Sequence, residues 1–190
     1  YDGGLSSVSM ERMGQVLDDA ERLAPADSRG IMFWSHADGW LNTGFENPEE
    51  PEGAAPRGFG QDGSKKMSIS ALGRVLEGRY FDFIYFDCCY MASVEVMYEL
   101  RESAGLFAAS AAELPADGAR YHEALRYLFA PELDLVSAVK ASFDFYEKQN
   151  SSGCTLSVVR ADALDRLAAV TAGIYDLRPA QPQKGTVQQF

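Results

Sequence analysis

The residues best suited to chemistry lie in the segment Asp87 to Met91 (DCCYM), between a strand pattern and a helical pattern. Phe81 to Asp87 has the length and aromatic content of a buried strand. From Ala92 to about Glu102, one broad helical face carries Val94, Met97, Tyr98 and Leu100. Open α/β sheets bind ligands at the carboxyl ends of their strands, and the amides of a helix start stabilise a thiolate. A cysteine at this junction is therefore placed to act as a nucleophile.

A histidine follows a second strand pattern in the same way. Gly30 to Ser35 is a short apolar run that ends in His36, one of two histidines in the chain. Neighbouring parallel strands end at one edge of a sheet, so His36 can lie close to Cys89 although it is 53 residues upstream. An imidazole beside a thiol can take its proton and later protonate a leaving amine. The second histidine, His122, stands at a polar helix start and is predicted to lie on the surface.

The two adjacent cysteines are predicted to differ in orientation. Side chains alternate along a strand, so Cys88 and Cys89 should face opposite ways. A disulfide between neighbours is strained, and Cys154 opens an apolar run where a buried thiol is the default. Two alternatives exist for the pair. Both thiols could be inert and buried, and a metal site with Asp87 and His36 is disfavoured because adjacent cysteines do not match the usual CxxC ligand spacing.

The remaining elements alternate between strands and helices. Helices are predicted at about 10–23, 69–77, 121–129, 133–148 and 163–175, and further strands at 105–110 and 154–160. Ser9 and Ser68 are suitable N-caps. This alternation predicts an α/β/α sandwich with a largely parallel central sheet. The sequence contains no internal repeat and no P-loop.

Composition is that of a globular protein. The 190 residues are 46% apolar and 24% charged, enough for one domain with a sizeable core. A net charge of −11 argues against nucleic acid and anionic membranes as partners. No apolar run approaches the roughly 20 residues of a membrane-spanning helix, and no signal peptide is recognisable. The abrupt opening at Tyr1 leads us to expect a catalytic domain over 1–178 that lacks its first strand, followed by a linker-like tail over 179–190.

The segments Trp34 to Trp40 (WSHADGW) and Phe86 to Glu95 (FDCCYMASVE) together resemble the clostripain family. Members are cysteine endopeptidases with a caspase-like fold, related to gingipains, legumains and caspases. Caspases place their histidine about 50 residues before the cysteine, as this chain does. The resemblance is strongest from about 31 to 113. It implies a caspase-like α/β/α sandwich with a largely parallel sheet.

The resemblance also implies catalytic roles. The family pattern of Asp, a small residue, Cys, a bulky residue and Met places Cys89 at the nucleophile and Cys88 in the small-residue position. His36 becomes the general base and acid of a His–Cys dyad. The backbone N–H groups of Cys89 and Ala37 become the oxyanion hole. Family members usually have Gly where this chain has Ala37, and a Cβ there is strained if the site needs a positive φ.

Substrate selection is the next implication. Asp87 precedes Cys89 by two residues and so lies on the same side of the strand. In the family the matching Asp belongs to an acidic S1 pocket that selects Arg or Lys at P1, and a carboxylate pairs strongly with a guanidinium. Asp117 and Glu113 are further candidate acids, and Trp40 is a candidate wall. The alternatives are that Asp87 caps the following helix and that Trp40 only packs.

The stretch from Asn42 to Lys66 is rich in Gly, Pro and charge, which predicts a long exposed loop. Family members often mature by cutting themselves between the His and Cys strands. The resemblance therefore implies a processing loop, with Arg57, Lys65 and Lys66 as candidate cleavage sites. The two fragments would stay together as one monomer, because the flanking strands share a sheet.

The sequence thus leads to the hypothesis of a self-processed cysteine endopeptidase that cleaves peptides or proteins after Arg or Lys. The chemistry needs no cofactor, although the resemblance leaves a dependence on calcium possible. It also implies secretion or a place in the bacterial cell envelope. The alternative is a catalytically inactive caspase-like domain that acts as a binding module, and the departure at Ala37 supports that alternative.

Overall fold

The computed structural model of the chain describes residues 3–40, 58–149 and 153–176. Its central sheet has four strands: β1 (Gly30–Trp34), β4 (Phe81–Asp87), β5 (Ala104–Ala109) and β6 (Ser157–Arg160). They lie in the order β1-β4-β5-β6, with the first three parallel and β6 antiparallel to β5. A separate antiparallel hairpin consists of β2 (Phe59–Asp62) and β3 (Lys65–Met67). The largely parallel central sheet is confirmed.

Six helices are described: α1 (Met10–Leu23), α2 (Ile69–Leu76), α3 (Val94–Glu99), α4 (Tyr121–Leu128), α5 (Leu135–Gln149) and α6 (Leu164–Asp176). Short 3-10 turns precede β5 at 101–103 and α6 at 161–163. The predicted caps are confirmed, because the side chains of Ser9 and Ser68 accept hydrogen bonds from N–H groups in the first turns of α1 and α2. None of the described helices is both long and apolar enough to cross a membrane.

Alternation along β4 produces the two halves of the core. Ile84 and Phe86 pack on one face of the sheet in a cluster with residues of α1, α2, α3 and α6. Phe83 and Tyr85 pack on the other face with residues of α4 and α5. All four side chains are buried. Helices cover both faces of the sheet, which confirms the α/β/α sandwich.

The prediction of a loop throughout 42–66 is wrong for its last part, where β2 and β3 form. Phe59 and Met67 are buried, and the Phe59 ring lies 5.0 Å from that of Phe33 and 6.3 Å from that of Phe86. The sequence analysis did not predict this hairpin because its glycines are typical of loops. Gly58 has φ +150°, and a Cβ there would lie 2.1 Å from the carbonyl oxygen of Met67, so the close strand contact requires Gly. The preceding part of the loop, including Arg57, lies outside the described residues.

The helix after the cysteines also differs from expectation. It begins at Val94, later than predicted, and Ser93 caps it by accepting from the Val96 N–H. Val94 and Tyr98 are exposed, whereas Val96, Met97 and Leu100 are buried. The buried face of α3 is therefore rotated by a fraction of a helical turn from the predicted face. The sequence period alone does not reveal this rotation, because it depends on the connection between β4 and α3. The predicted tail at 179–190 lies outside the described residues.

Candidate active site

The pairing of β1 with β4 brings His36 and Cys89 to one edge of the sheet. Trp34, the last residue of β1, is directly paired with Asp87, the last residue of β4, and His36 and Cys89 each follow two residues beyond the end of their strand. Both residues line one cleft of about 760 Å³ at the carboxyl ends of the strands. The strand register thus brings His36 and Cys89 together, although they are 53 residues apart in the chain.

Cys89 is half-buried in a turn fixed to the loop at 110–114. Its Sγ atom lies 3.3 Å from the Leu114 N and 3.9 Å from the Leu114 O. The next residue, Tyr90, has φ 62° and donates its N–H to the Ala112 O at 3.1 Å. A positive φ at a bulky residue is strained, and such strain is concentrated at functional turns. The Leu114 N–H donates to this sulfur and thereby holds it in place in the turn.

The expected helix-start stabilisation of Cys89 is not what the structure provides. Helix α3 begins at Val94, five residues after the cysteine, and its cap is the Ser93 side chain. The donor that reaches the sulfur is the Leu114 N–H, which comes from a loop 25 residues away in sequence. This contact was missed because no local pattern marks it.

Cys88 faces away from Cys89, as alternation predicts. It is only 2% exposed, and its thiol donates to the Phe33 O at 3.0 Å. Burial raises the pKa of Cys88 to about 12. This thiol is protonated at neutral pH and embedded in the core, so it is unsuited to nucleophilic attack.

The hairpin holds the segment that carries His36. The Gly60 N–H donates to the His36 O at 2.9 Å, and the Asp38 N–H donates to the Gly58 O at 3.0 Å. The Lys66 ammonium forms an ion pair with the Asp38 carboxylate. The imidazole of His36 is exposed to the cleft, whereas its backbone is fixed on both sides. Residues predicted as loop therefore position the candidate base.

Ala37 sits between those hydrogen bonds, opposite Phe59 in an isolated antiparallel bridge. Bonds that flank a residue in this way leave its own N–H directed away from the partner strand. Among the described residues Tyr90 alone has a positive φ without being glycine, so Ala37 does not. The positive φ belongs to Gly39 at +78°, where a Cβ would lie 3.0 Å from the Tyr90 O. Ala37 therefore carries no strain from its Cβ.

Asp87 is 4% exposed at the end of β4 and also lines the cleft. Its Oδ2 atom accepts from the Ala119 N–H at 2.8 Å and from the Tyr121 Oη–H at 2.5 Å. Burial and this bond raise the pKa of Tyr121. The alternative that Asp87 caps the following helix is wrong, because Ser93 is that cap.

The other predicted pocket residues are not all brought together. Glu113 lines the rim of the cleft, is exposed, and accepts from the Tyr90 Oη–H at 3.1 Å. Asp117 and Trp40 are exposed and are not among the residues that line this cleft. Trp34 is the aromatic residue that lines it, at 70% exposure. The alternation that selected Asp87 also applies to Trp34, two residues before His36, and could have found it.

The candidate cleavage residues within the described part of the chain lie in the hairpin. Lys65 is exposed and paired with Asp62 across the turn. The side chain of Lys66 is 15% exposed because of its ion pair. His122, as expected, lies on the surface near Arg120 and Glu123. Within the described ranges, no group of three or more His, Cys, Asp or Glu side chains is arranged to hold a metal ion.

The sandwich, with its cysteine and histidine at the ends of adjacent strands, has the caspase-like architecture of a class of cysteine peptidases. The chain belongs to the clostripain family, whose family model matches residues 1–178. Comparison with curated proteins gave no match.

Solved structures agree with that assignment. A secreted C11 cysteine protease from Bacteroides thetaiotaomicron, in complex with an irreversible peptide inhibitor, is 36% identical with a TM-score of 0.78, over 90% of this chain and 50% of the other. An inactive zymogen of a C11 protease from Parabacteroides distasonis is 32% identical with a TM-score of 0.77, over 96% of this chain and 49% of the other. The chain spans about half the length of these proteins.

Proposed function

We propose that this protein is a cysteine endopeptidase in which Cys89 is the nucleophile and His36 is the general base and acid. The observation that carries the proposal is the common position of the two residues. Trp34 and Asp87 are paired on adjacent parallel strands, and His36 and Cys89 each come two residues after one of them. Both His36 and Cys89 line one cleft. Membership of a family of cysteine proteases provides independent support.

In the proposed reaction, His36 takes the proton of Cys89 and the thiolate attacks the scissile carbonyl carbon. The N–H groups of Ala37 and Cys89 would donate to the oxyanion of the tetrahedral intermediate. His36 then protonates the leaving amine, and the carbon–nitrogen bond breaks to leave a thioester on Cys89. A water molecule, deprotonated by His36, hydrolyses that thioester and restores the thiol.

The proposed specificity is for Arg or Lys at P1, with Asp87 as the acid of the S1 pocket. Asp87 is only 4% exposed, and burying a carboxylate costs free energy unless hydrogen-bond donors or a cation compensate its charge. Asp87 also lines the same cleft as Cys89. Glu113 at the rim adds negative charge to the entrance. Asp117 receives less support because it lies away from the lining of the cleft.

Self-cleavage between the two catalytic strands is proposed as the route of maturation. The similar protein from Parabacteroides distasonis was described as an inactive zymogen, which supports a precursor state for this chain. Lys66 is a poor cleavage site because its ion pair and strand pairing hold it in the hairpin. Lys65 also lies within β3, so Arg57 is the favoured cleavage site.

Secretion is proposed because similar solved proteins are described as secreted. Calcium dependence stays a prediction, which activity measurements with and without a chelator will test. We further expect a monomer in which the cleaved fragments remain associated through the shared sheet. The alternative of an inactive binding module relies on the departure from Gly at Ala37. That departure supports it only weakly, because Ala37 has no positive φ.

A panel of fluorogenic peptides that differ only at P1 tests the proposal. The wild type should hydrolyse peptides with basic P1 residues, and Cys89→Ala and His36→Ala should each lose nearly all of that rate. Cys88→Ala is the matched control, since it removes a thiol next in sequence but outside the reaction. Substantial hydrolysis by Cys89→Ala would refute the assignment, and an inactive wild type that binds peptides would favour the binding module.

A further inference from the structure

We propose that the pocket built around Asp87 prefers lysine to arginine at P1, and that Tyr121 is the specificity-determining residue. The inference rests on the proposed function and deepens it, since that function leaves the two basic residues equivalent.

One carboxylate oxygen of Asp87 is already occupied by hydrogen bonds within the protein. A carboxylate oxygen accepts about two hydrogen bonds. Oδ2 accepts from the Ala119 N–H at 2.8 Å and from the Tyr121 Oη–H at 2.5 Å. Within the described part of the chain, all hydrogen bonds to Asp87 fall on this oxygen. Only Oδ1 retains its full capacity for a substrate.

The backbone also limits access to Oδ2. Gly118 has φ +69°, and a Cβ there would lie 2.8 Å from Asp87 Oδ2 and 3.3 Å from Trp34 Nε1. The backbone of residue 118 therefore lies against both side chains. Its position is fixed in turn by Tyr146, whose Oη–H donates to the Gly118 O at 2.6 Å. The loop cannot easily move away to expose Oδ2 to a second donor.

The two cations differ in the number of carboxylate oxygens that they use. An arginine guanidinium binds a carboxylate best as a planar fork, with one N–H on each oxygen. A lysine ammonium is a compact point charge that needs only one oxygen. With Oδ2 occupied, arginine loses one of the two bonds of its fork, whereas lysine keeps the single contact with one oxygen that it needs. One missing hydrogen bond to a charged group corresponds to about tenfold or more in kcat/KM.

Tyr121→Phe is the direct test, because it removes one donor from Oδ2 and keeps the ring. Two peptides that differ only in Lys or Arg at P1 are compared. We expect wild-type kcat/KM to favour Lys by about tenfold or more, and Tyr121→Phe to bring the ratio close to one through improved relative use of Arg. Tyr127→Phe is the matched control: it removes the hydroxyl of another tyrosine of α4, which accepts from the Arg126 side chain outside the lining of the cleft, and it should leave the ratio unchanged.

Two further measurements keep the inference falsifiable. Thermal unfolding shows whether each variant is folded, and the wild-type ratio needs no variant at all. Binding of the same two peptides to Cys89→Ala, measured by calorimetry, reads the preference without turnover. A wild type that prefers Arg or treats both equally, or a folded Tyr121→Phe with an unchanged ratio, would overturn the inference. Failure of the proposed function has a different signature: no hydrolysis by the wild type, while the binding preference for Lys persists.

Discussion

Replacing Asp87 by Asn isolates the charge of the proposed S1 carboxylate. In the wild type, the Ala119 N–H and the Tyr121 Oη–H both donate to Asp87 Oδ2. The amide oxygen of Asn can still accept both hydrogen bonds. The loop at 118–121 should therefore keep its place. What changes is the group left to face the substrate, which becomes a neutral NH₂ donor instead of an anionic oxygen.

The size of the effect follows from burial. Asp87 is 4% exposed, so solvent screens its contact with a bound cation little. Removing one partner of a buried ion pair costs about 3–5 kcal/mol. At 1.36 kcal/mol for each factor of ten, kcat/KM for a Lys or Arg peptide should fall by about 150- to 5,000-fold. Peptides with a neutral P1 residue meet no lost charge, and their kcat/KM should change little.

The assay is kcat/KM for matched peptides with basic and neutral P1 residues. Glu113→Gln is the control, since it removes an exposed carboxylate from the rim of the same cleft. Exposed pairs are worth about 0–1 kcal/mol, so this variant should lose at most about fivefold. An equal loss of activity over basic and neutral P1 residues in Asp87→Asn would show that Asp87 only supports the loop, and would refute the reasoning.

Two further predictions concern the hairpin and the chain before it. Lys66→Met should lower kcat by about two- to fivefold with little change in KM, because Asp38 then anchors the His36 segment less firmly. Exchanging the two charges (Asp38→Lys with Lys66→Asp) should recover part of the loss in kcat. A double exchange no better than the single variant would contradict a positioning role. Mass spectrometry of purified wild type should find a cut after Arg57 that is absent from Cys89→Ala, and the same cut in both proteins would mean that another protease makes it.

Local sequence patterns were sufficient for the scaffold of the site. The apolar run Phe81 to Asp87 coincides with β4, and the end of β1 is one residue from the prediction. β4 is largely buried and β1 partly so, and both are β-favouring and bounded by turns, so local preference and tertiary context agree. The positions of His36 and Cys89 at one edge follow from parallel pairing alone.

The contacts that tune the site could not be predicted in this way. Leu114 reaches the Cys89 sulfur across 25 residues, and Tyr121 reaches Asp87 across 34. Both depend on how a loop without periodicity folds back over the sheet. The hairpin was missed for another reason, since its glycines look like loop residues but allow close strand contact at Gly58.

The most direct test of the central claim is to map the adduct of an irreversible peptide inhibitor with lysine at P1. Wild-type protein is labelled, digested and analysed by mass spectrometry beside Cys88→Ala, Cys89→Ala and His36→Ala. We predict one adduct, on Cys89, formed equally well in Cys88→Ala, much more slowly in His36→Ala and absent from Cys89→Ala. An adduct on Cys88 or Cys154, or equal labelling of Cys89 with and without His36, would contradict the proposed dyad.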